Sequence, residues 1–474
     1  MNDTAIVKDL SFTYRSWTGK PNRPVLEHLD CTFPKNSKTL LLAPFDGGKS
    51  TFARILSDVC PKYIQGDLQG SVTICGKDLS LTEPWDLLLD CGYVSQDPQE
   101  QFIATSVEDE LAFPLESLGL DRKTIERRVD EALAQWDLLP MRGSSEQELS
   151  GGERKRVLLA VQQVINPTFW ILDESFDDLD LRWRSLLAEK IKEDNHTVLV
   201  LASRYLSQFE GLFDRYALIE NGKLRFGEKQ EILQSFSHLC GDDLPNPLEE
   251  QVIQVPRRQT LTCSALKTTR SRVSSIDEKP FTLAVPSFSL SSGDLSTLVG
   301  PNGSGKSTFS RLLCGLDVPS EGEFTLDGKI VSAKTLNRTV GYLFQNPDLQ
   351  IFLPTVREEL SWSLKRRKNL SAAEIEKMVS DCAILFDLEL EDTPSTMSYP
   401  LRKALQAAVY YLLDRPFYIL DELDNALTYA TALKIITRLR RNGAGILLIT
   451  HDQNFASLVS RTTFAITDGK LGCQ

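Results

Sequence analysis

A glycine-rich stretch in the second half of the chain, GPNGSGKST at Gly300 to Thr308, has the spacing GxxxxGK[ST]. It follows the apolar run LSTLVG and precedes a segment of helical character. Glycines at this spacing let successive backbone N–H groups point towards an anion at the start of a helix, where the helix dipole favours negative charge. The pattern therefore predicts a phosphate-binding loop.

The side chains of this loop indicate a nucleotide with a bound cation. Lys306 is expected to reach the β- and γ-phosphates, and Ser307 is expected to ligate Mg²⁺. The residues expected to contact the nucleotide are Gly300, Asn302, Gly303, Ser304, Gly305, Lys306, Ser307 and Thr308.

A related loop, APFDGGKST, occurs in the first half, again after an apolar run, TLLLA. Ala43 stands where the opening glycine is expected, and Asp46 brings a carboxylate close to the phosphates. We therefore expect weaker binding at this loop. The residues expected to contact its nucleotide are Gly47, Gly48, Lys49, Ser50 and Thr51.

Further landmarks recur in the same order in both halves, which indicates an internal duplication. YVSQDPQEQF matches YLFQNPDLQIF, WILDES matches YILDEL, and VLVLASRY corresponds to LLITHDQ. The same number of residues separates Ser150 from Asp173 and Ser398 from Asp421. The chain is therefore predicted to contain two related domains.

Length and pattern support two domains of one fold class. A chain of 474 residues is too long for one ordinary core. Beta-rich runs alternate with helical segments such as Arg122 to Trp136 and Ala372 to Phe386, a pattern typical of a mostly parallel sheet flanked by helices. We predict two tandem α/β P-loop domains, at 1–234 and 261–474, joined by a Pro-, Gly- and charge-rich linker at 235–260.

Composition excludes several classes of protein. The net charge of −12 argues against nucleic-acid binding, which needs clustered lysine and arginine. No apolar run approaches the roughly 20 residues that cross a bilayer, and the N-terminus lacks a secretory signal. The nine cysteines form no CxxC pair, which favours reduced thiols in the cytosol.

The sequence Leu149-Ser150-Gly151-Gly152-Glu153 resembles the LSGGQ-type signature of ATP-binding cassette (ABC) proteins. The helical run RKRVLLAVQQVI follows it, so its hydroxyl and N–H groups lie at a helix N-terminus. The resemblance implies that Ser150, Gly151 and Gly152 meet the γ-phosphate of ATP.

Other motifs resemble further elements of the same family. Two strands end in the Walker B-like pairs Asp173-Glu174 and Asp421-Glu422. The resemblance implies that each aspartate holds Mg²⁺ through water and each glutamate is the general base. It also implies that Gln96 and Gln345, in the Q-loops, contact Mg²⁺, that His451 contacts the γ-phosphate, and that Tyr14 stacks on adenine. Tyr14 could instead be a buried strand aromatic.

In this family the cassettes pair head to tail, and each nucleotide lies between the P-loop of one and the signature of the other. The resemblance thus implies one complete site, which joins Lys306, Ser307, Gln345, Asp421, Glu422 and His451 with Ser150, Gly151 and Gly152. The other site faces Met397-Ser398-Tyr399-Pro400-Leu401, where Tyr399 adds bulk and Pro400 lacks an N–H. Arg204 replaces its switch histidine and could pair with Glu174 or phosphate. We expect this second site to bind nucleotide and to hydrolyse it slowly or not at all.

The Q-loop stretches QDPQEQ and QNPDLQ resemble those of energy-coupling factor (ECF) ATPases, which power vitamin and metal-ion uptake. This resemblance implies a cytoplasmic subunit, peripheral to the inner face of the cell membrane. Its partners would be a transmembrane coupling protein and a substrate-binding membrane component, with the two cassettes paired within one chain. Acidic residues near the Q-loops would complement basic coupling helices or form a solvated surface: Asp97, Glu100, Glu108, Asp109, Glu110, Asp348, Glu358 and Glu359.

Three alternative functions differ from transport. A ribosome-associated tandem ABC protein resembles this chain in domain number, but the linker here is short and the chain acidic. A regulatory module that no longer hydrolyses ATP would fit the degenerate second site but not the complete site. A DNA-repair ATPase is disfavoured because zinc cysteines and long coiled-coil insertions are absent from the sequence.

Overall fold

The computed structural model describes residues 3–15, 24–44, 47–177, 179–240, 248, 253–256, 258–270, 281–301, 303–367, 370–425, 427–450 and 452–473. They form two compact units, the first ending at Leu239 and the second starting at Cys240. Each unit contains a mostly parallel sheet flanked by helices, so the predicted α/β class with two tandem P-loop domains is confirmed.

Unit 1 contains two sheets. An antiparallel sheet has the order β2-β1-β4-β5, and a mostly parallel sheet has the order β10-β9-β3-β8-β7-β6. The strands are β1 Asp3–Tyr14, β2 Leu26–Pro34, β3 Lys38–Leu42, β4 Gly66–Ile74, β5 Lys77–Asp78, β6 Cys91–Val94, β7 Phe169–Asp173, β8 Thr197–Ala202, β9 Arg215–Glu220 and β10 Lys223–Gly227. The helices are α1 Lys49–Leu56, α2 Val107–Ser117, α3 Arg122–Gln135, α4 Gly151–Ile165, α5 Leu181–Glu193 and α6 Lys229–Cys240.

Unit 2 has corresponding strands, but they form one sheet. Its strand order is β15-β14-β11-β12-β20-β19-β13-β18-β17-β16. The strands are β11 Thr260–Arg270, β12 Phe281–Ser291, β13 Leu295–Val299, β14 Glu321–Leu326, β15 Lys329–Ile330, β16 Val340–Leu343, β17 Phe417–Asp421, β18 Gly445–Ile449, β19 Thr463–Thr467 and β20 Lys470–Cys473. The helices are α7 Lys306–Leu313, α8 Ala333–Thr339, α9 Val356–Leu364, α10 Ala372–Leu385, α11 Tyr399–Leu413, α12 Tyr429–Leu439 and α13 Gln453–Val459.

The central parallel strands of both units are buried along their whole length. Every residue of β7, β8, β17 and β18 is buried, as expected for strands covered by helices on both faces. Because their carboxyl ends meet at one edge of the sheet, the residues that follow them are brought together there.

Side-chain caps explain where several helices begin. Ser150 and Ser371 each accept a hydrogen bond from the N–H of a glutamate three residues on, and that glutamate bonds back, which completes a capping box. Asp121 caps the helix Arg122–Gln135 in the same way without the reciprocal bond. The helical segments predicted near 122–136 and 372–386 are therefore confirmed.

The segment between the units is more structured than the pattern indicated. Helix α6 extends to Cys240, into the stretch 235–260 that we predicted as a linker. Leu248 is buried in the core of unit 2, and its carbonyl accepts a hydrogen bond from Arg440 Nη1 at 3.1 Å. Leu248 therefore packs as part of unit 2. Within the described residues, no helix is long and apolar enough to cross a membrane.

Candidate functional site

The phosphate-binding loop of unit 2 lies between β13 and α7. Its glycines adopt backbone conformations that side chains disfavour: φ is +74° at Gly303 and +112° at Gly305. A Cβ at Gly305 would lie 2.8 Å from Phe281 Cζ, so space as well as torsion requires glycine there. The loop therefore holds the shape that the GxxxxGK[ST] spacing predicted.

Two polar groups of this loop are placed to receive an anion. Lys306 is buried and donates from Nζ to the carbonyl oxygens of Gly300 at 2.8 Å and Pro301 at 3.0 Å. Burial lowers the pKa of Lys306, against the opposing effect of Glu422 and Asp421. The hydroxyl of Ser304 is buried without a hydrogen-bond partner in the described part of the chain. A phosphate oxygen would satisfy that hydroxyl.

The carboxylate pair of unit 2 follows β17 at the same sheet edge. Asp421 accepts a hydrogen bond from Tyr342 Oη at 2.5 Å, and its pKa is raised to about 6 by burial and by the adjacent charge of Glu422. Glu422 has φ +47°, a strained backbone conformation of the kind found at active sites. Its Oε2 accepts from Gln345 Nε2 at 2.6 Å. The sheet thus brings Lys306, Gln345, Asp421 and Glu422 close together.

The corresponding pair in unit 1 is more deeply buried. Both carboxylate oxygens of Asp173 are buried without a hydrogen-bond partner among the described residues. Burial raises the pKa of Asp173, while Lys49 and Ser50 lower it. Unsatisfied carboxylate oxygens of this kind suit a hydrated Mg²⁺, which would neutralise phosphate charge. Asp173 with Ser50 and Gln96, and Asp421 with Ser307 and Gln345, are the candidates to hold it.

The Glu174 carboxylate is bound by side-chain and backbone groups of its own unit. Its Oε1 lies 3.1 Å from Lys49 Nζ and accepts the Ser203 hydroxyl, while Oε2 accepts the Ser203 N–H at 3.2 Å. Asp421 pairs with Ile449 as Asp173 pairs with Leu201, so Ser203 corresponds to His451, which lies outside the described residues. Among the described side chains, Glu174 accepts from Ser203, whereas Glu422 accepts from Gln345.

We predicted Arg204 at the position of the switch histidine, but the strand register places Ser203 there, because Asp173 pairs with Leu201 as Asp421 pairs with Ile449. Arg204 lies one residue further along and pairs with Asp177. The distance from Nε to Oδ1 is 3.1 Å, and both side chains are largely buried. The sequence indicated that Arg204 could pair with Glu174 or with phosphate. The guanidinium instead lies against Asp177, four residues after the end of β7.

Glu174 predicts a pH-dependent stability. Burial raises its pKa to about 7, above the usual 4.5, against the effect of Lys49. Between pH 4.5 and pH 7 the native state therefore keeps the Glu174 proton that the unfolded chain loses. The contribution of Glu174 to the free energy of unfolding is thus greatest at low pH and declines as the pH rises to 7. Glu174→Gln removes the titration. We expect its melting temperature relative to wild type to rise from pH 5 to pH 7 and then level off.

Scanning calorimetry at pH 5, 6, 7 and 8 measures this difference. Glu116→Gln, at an exposed position of α2, is the matched control and should show no such trend. A difference between Glu174→Gln and wild type that stays constant over this range would contradict the assigned cause.

The two signature segments both begin a helix but differ chemically. Ser150 accepts from the Glu153 N–H at 3.4 Å, and Gly151 and Gly152 form the first turn of α4. In unit 2, Ser398 precedes α11, whose first two residues are Tyr399 and Pro400. The helix start tolerates proline, but the glycine backbone that would approach a phosphate is lost there.

Tyr14 lies at the end of β1, beside the phosphate-binding loop of unit 1. Its hydroxyl is 2.9 Å from Thr51 Oγ1 at the start of α1, and burial raises its pKa. Stacking of this ring on adenine stays a prediction. Three further residues named from the sequence, Asp46, Asn302 and His451, lie outside the described residues.

At two equivalent positions after the Q-loop glutamine, both units expose a large apolar side chain. Ile103 and Phe113 in unit 1 are 73% and 49% exposed, and the equivalent Phe352 and Trp362 in unit 2 are 77% and 52% exposed. The repeat of exposed apolar groups at equivalent positions indicates a shared surface role.

A buried glutamate holds each of these Q-loop segments in place. Glu110 Oε2 accepts from the N–H groups of Ile103 and Ala104 at 3.0 and 2.7 Å. Glu359 Oε2 accepts from those of Phe352 and Leu353 at the same two distances. Both glutamates are more than nine-tenths buried, so neither alternative considered for them, complementary charge for a partner or a solvated surface, holds for Glu110 and Glu359.

Several residues of the site were not found by sequence reasoning. Asp177 lacks a motif of its own, but Ser203 stands as far from Glu174 as His451 does from Glu422, and Tyr342 and Lys403 recur as Tyr93 and Lys155. Alignment of the two halves would have identified that recurrence. The partners of these side chains follow from the sheet and helix contacts alone.

The model of the family described as ABC transporter matches residues 26–177 and 283–425. A proposed ABC transporter ATP-binding protein of Treponema denticola is 26% identical over 483 residues, covering 98% of this chain and 95% of that protein. A proposed HMP/thiamine import ATP-binding protein of Bacillus subtilis, YkoD, is 27% identical, covering 98% and 89%. The solved structure of an RNase-L Inhibitor has a TM-score of 0.62 at 20% identity, covering 98% and 90%, a likeness of fold.

Proposed function

This chain belongs to the ABC transporter family as an ATPase with two tandem ABC domains, and we propose that it supplies the ATP hydrolysis that drives a membrane importer. The observation that carries the proposal is the matched pair of exposed apolar residues beside each Q-loop, Ile103 with Phe113 and Phe352 with Trp362. An importer needs such a surface on both units, because each unit transmits movement to a membrane partner.

The partner we propose is a transmembrane coupling protein that docks helices on these two surfaces. The buried carboxylates of Glu110 and Glu359 hold the backbone of each segment, so Ile103 and Phe352 are presented from a fixed support. Preorganised apolar groups lower the ordering cost of binding. The chain would then be peripheral to the cytoplasmic face of the membrane.

The finer proposal is an importer of ECF type, which takes up a vitamin or a metal ion through a substrate-binding membrane component. The Q-loop stretches QDPQEQ and QNPDLQ support it. The name of the B. subtilis relative, which refers to HMP/thiamine import, supports a vitamin precursor as the class of cargo.

We propose two unequal ATP sites formed by head-to-tail pairing of the cassettes. The working site joins the P-loop, Gln345, Asp421, Glu422 and His451 of unit 2 with the signature of unit 1. In it Glu422 orients and deprotonates the attacking water, and Lys306 stabilises charge on the phosphates. The other site lacks the glycine signature, and its Glu174 is bound by Ser203 and Lys49. We propose that it retains nucleotide with little turnover.

Replacement of the exposed apolar residues tests the docking proposal. In cells that contain the natural partners, the wild-type chain should float with membranes in a density gradient, and the double variant Ile103→Ser, Phe352→Ser should remain in the soluble fraction, with roughly a tenfold loss of membrane-bound chain for an apolar hot spot. ATP binding by the purified variant should be unchanged.

Ile384→Ser is the matched control, because Ile384 is 77% exposed on α10 and is not next to the Q-loop in sequence. It should float with membranes like wild type. Sedimentation of the wild-type chain with ribosomes instead of membranes would replace the importer with a ribosome-associated function. Equal membrane binding by all three proteins would remove the docking surface from the proposal.

A further inference from the structure

We propose that Tyr399, the residue that disrupts the signature of unit 2, is a positioning residue for Glu422 of the same unit. This inference rests on the proposed function, since it takes Glu422 as the general base. It assigns a role to Tyr399 beyond the loss of the glycine whose backbone would approach a phosphate.

Two hydrogen bonds connect Tyr399 with Glu422 through a single residue. The Tyr399 hydroxyl donates to the backbone carbonyl of Gln345 at 2.7 Å. The side-chain amide of Gln345 donates from Nε2 to Glu422 Oε2 at 2.6 Å. The tyrosine therefore restrains the backbone of Gln345, and Gln345 in turn orients one oxygen of the carboxylate.

In unit 1 the backbone of the Q-loop glutamine is held without a tyrosine. There Gly151 stands at the position of Tyr399, and Lys155 Nζ donates to the carbonyls of both Ser95 and Gln96, at 2.8 and 2.9 Å. In unit 2 the equivalent lysine, Lys403, donates to the Phe344 carbonyl at 3.4 Å. The carbonyl of the Q-loop glutamine is thus bonded by lysine in unit 1 and by tyrosine in unit 2.

Further contacts join the start of α11 to the Q-loop. Arg402 Nε lies 2.8 Å from Asp348 Oδ1, and its guanidinium carbon is 5.7 Å from the centre of the Tyr399 ring. Lys403 Nζ is 6.0 Å from that ring centre. These cations favour the face of the aromatic ring and hold it beside the Q-loop. A displacement of the helix start would therefore move Gln345 and disturb Glu422.

Tyr399→Phe removes the hydroxyl that donates the first hydrogen bond and keeps the aromatic ring. We expect kcat for ATP hydrolysis by the purified full chain to fall about fivefold, the effect of one hydrogen bond that orients the base. KM for ATP should be unchanged, because the P-loop is not touched. Tyr411→Phe, which makes the same change on the same helix where the ring lies against Arg441, is the matched control and should retain wild-type kcat.

A double-mutant cycle separates positioning through Gln345 from a general loss of structure. Once Gln345→Ala has removed the bond to Glu422, adding Tyr399→Phe should lower kcat no further. Additive effects in this cycle, or wild-type kcat in Tyr399→Phe, would overturn the inference. Glu422→Gln, measured alongside, separates failure of this inference from failure of the proposed function. If Glu422→Gln still hydrolyses ATP, the proposed site itself is contradicted. If Glu422→Gln loses turnover but Tyr399→Phe keeps wild-type kcat, only the role of Tyr399 is contradicted.

Discussion

Glu422→Gln is expected to abolish ATP hydrolysis, with a fall of at least ~100-fold for loss of a general base. The substitution keeps the size of the side chain and an oxygen that can still accept from Gln345 Nε2, which now donates to Glu422 at 2.6 Å. Nucleotide binding should therefore persist. Steady-state phosphate release, together with binding of a fluorescent ATP analogue, measures both properties on the same preparation.

Glu174→Gln is the matched control for this prediction. Glu174 follows a strand-end aspartate as Glu422 does, but its carboxylate is held by Ser203 and Lys49. We expect most of the turnover to remain in this variant. If both substitutions halve the rate, the two sites share the work, and if Glu174→Gln alone stops it, the working site has been assigned to the wrong unit.

Gly151→Tyr should reduce turnover by roughly 10²–10³-fold, the usual cost of losing a preorganised group that stabilises charge in the transition state. The substitution places in unit 1 the residue that occupies the same position in unit 2. Gly151 is exposed and a Cβ added there meets no atom within 4 Å, and an unchanged melting temperature of the variant should verify that unit 1 stays folded. Any loss of turnover then reports lost contact with nucleotide.

Gly143→Tyr provides a control of the same chemical type in the same unit. Gly143 also has no atom within 4 Å of an added Cβ, and it lies outside the signature. It should hydrolyse ATP at the wild-type rate with an unchanged melting temperature. Wild-type turnover in Gly151→Tyr would show that the working site does not use the unit 1 signature, which would exclude the head-to-tail pairing proposed above.

The sequence by itself determined the elements whose chemistry is local. A phosphate-binding loop needs glycines, a lysine and a hydroxyl within nine consecutive positions from Gly300 to Thr308, and the flanking apolar run and helix are contiguous with it. The same holds for the carboxylates that end β7 and β17 and for the capped starts of α4 and α10. Local propensity and hydrophobic period act on neighbours along the chain, so they can be interpreted without the fold.

Only the tertiary structure decided which donor each carboxylate receives. Ser203 reaches Glu174 while Thr450 reaches Asp424, and Tyr399 reaches the Q-loop across 54 positions of the chain. Such pairings depend on strand register and on helix placement to within about half an ångström, since a hydrogen bond weakens steeply with misalignment. The burial of Glu110 and Glu359, which charge alone could not reveal, has the same origin: a polar group may lie in a core when the fold brings it donors.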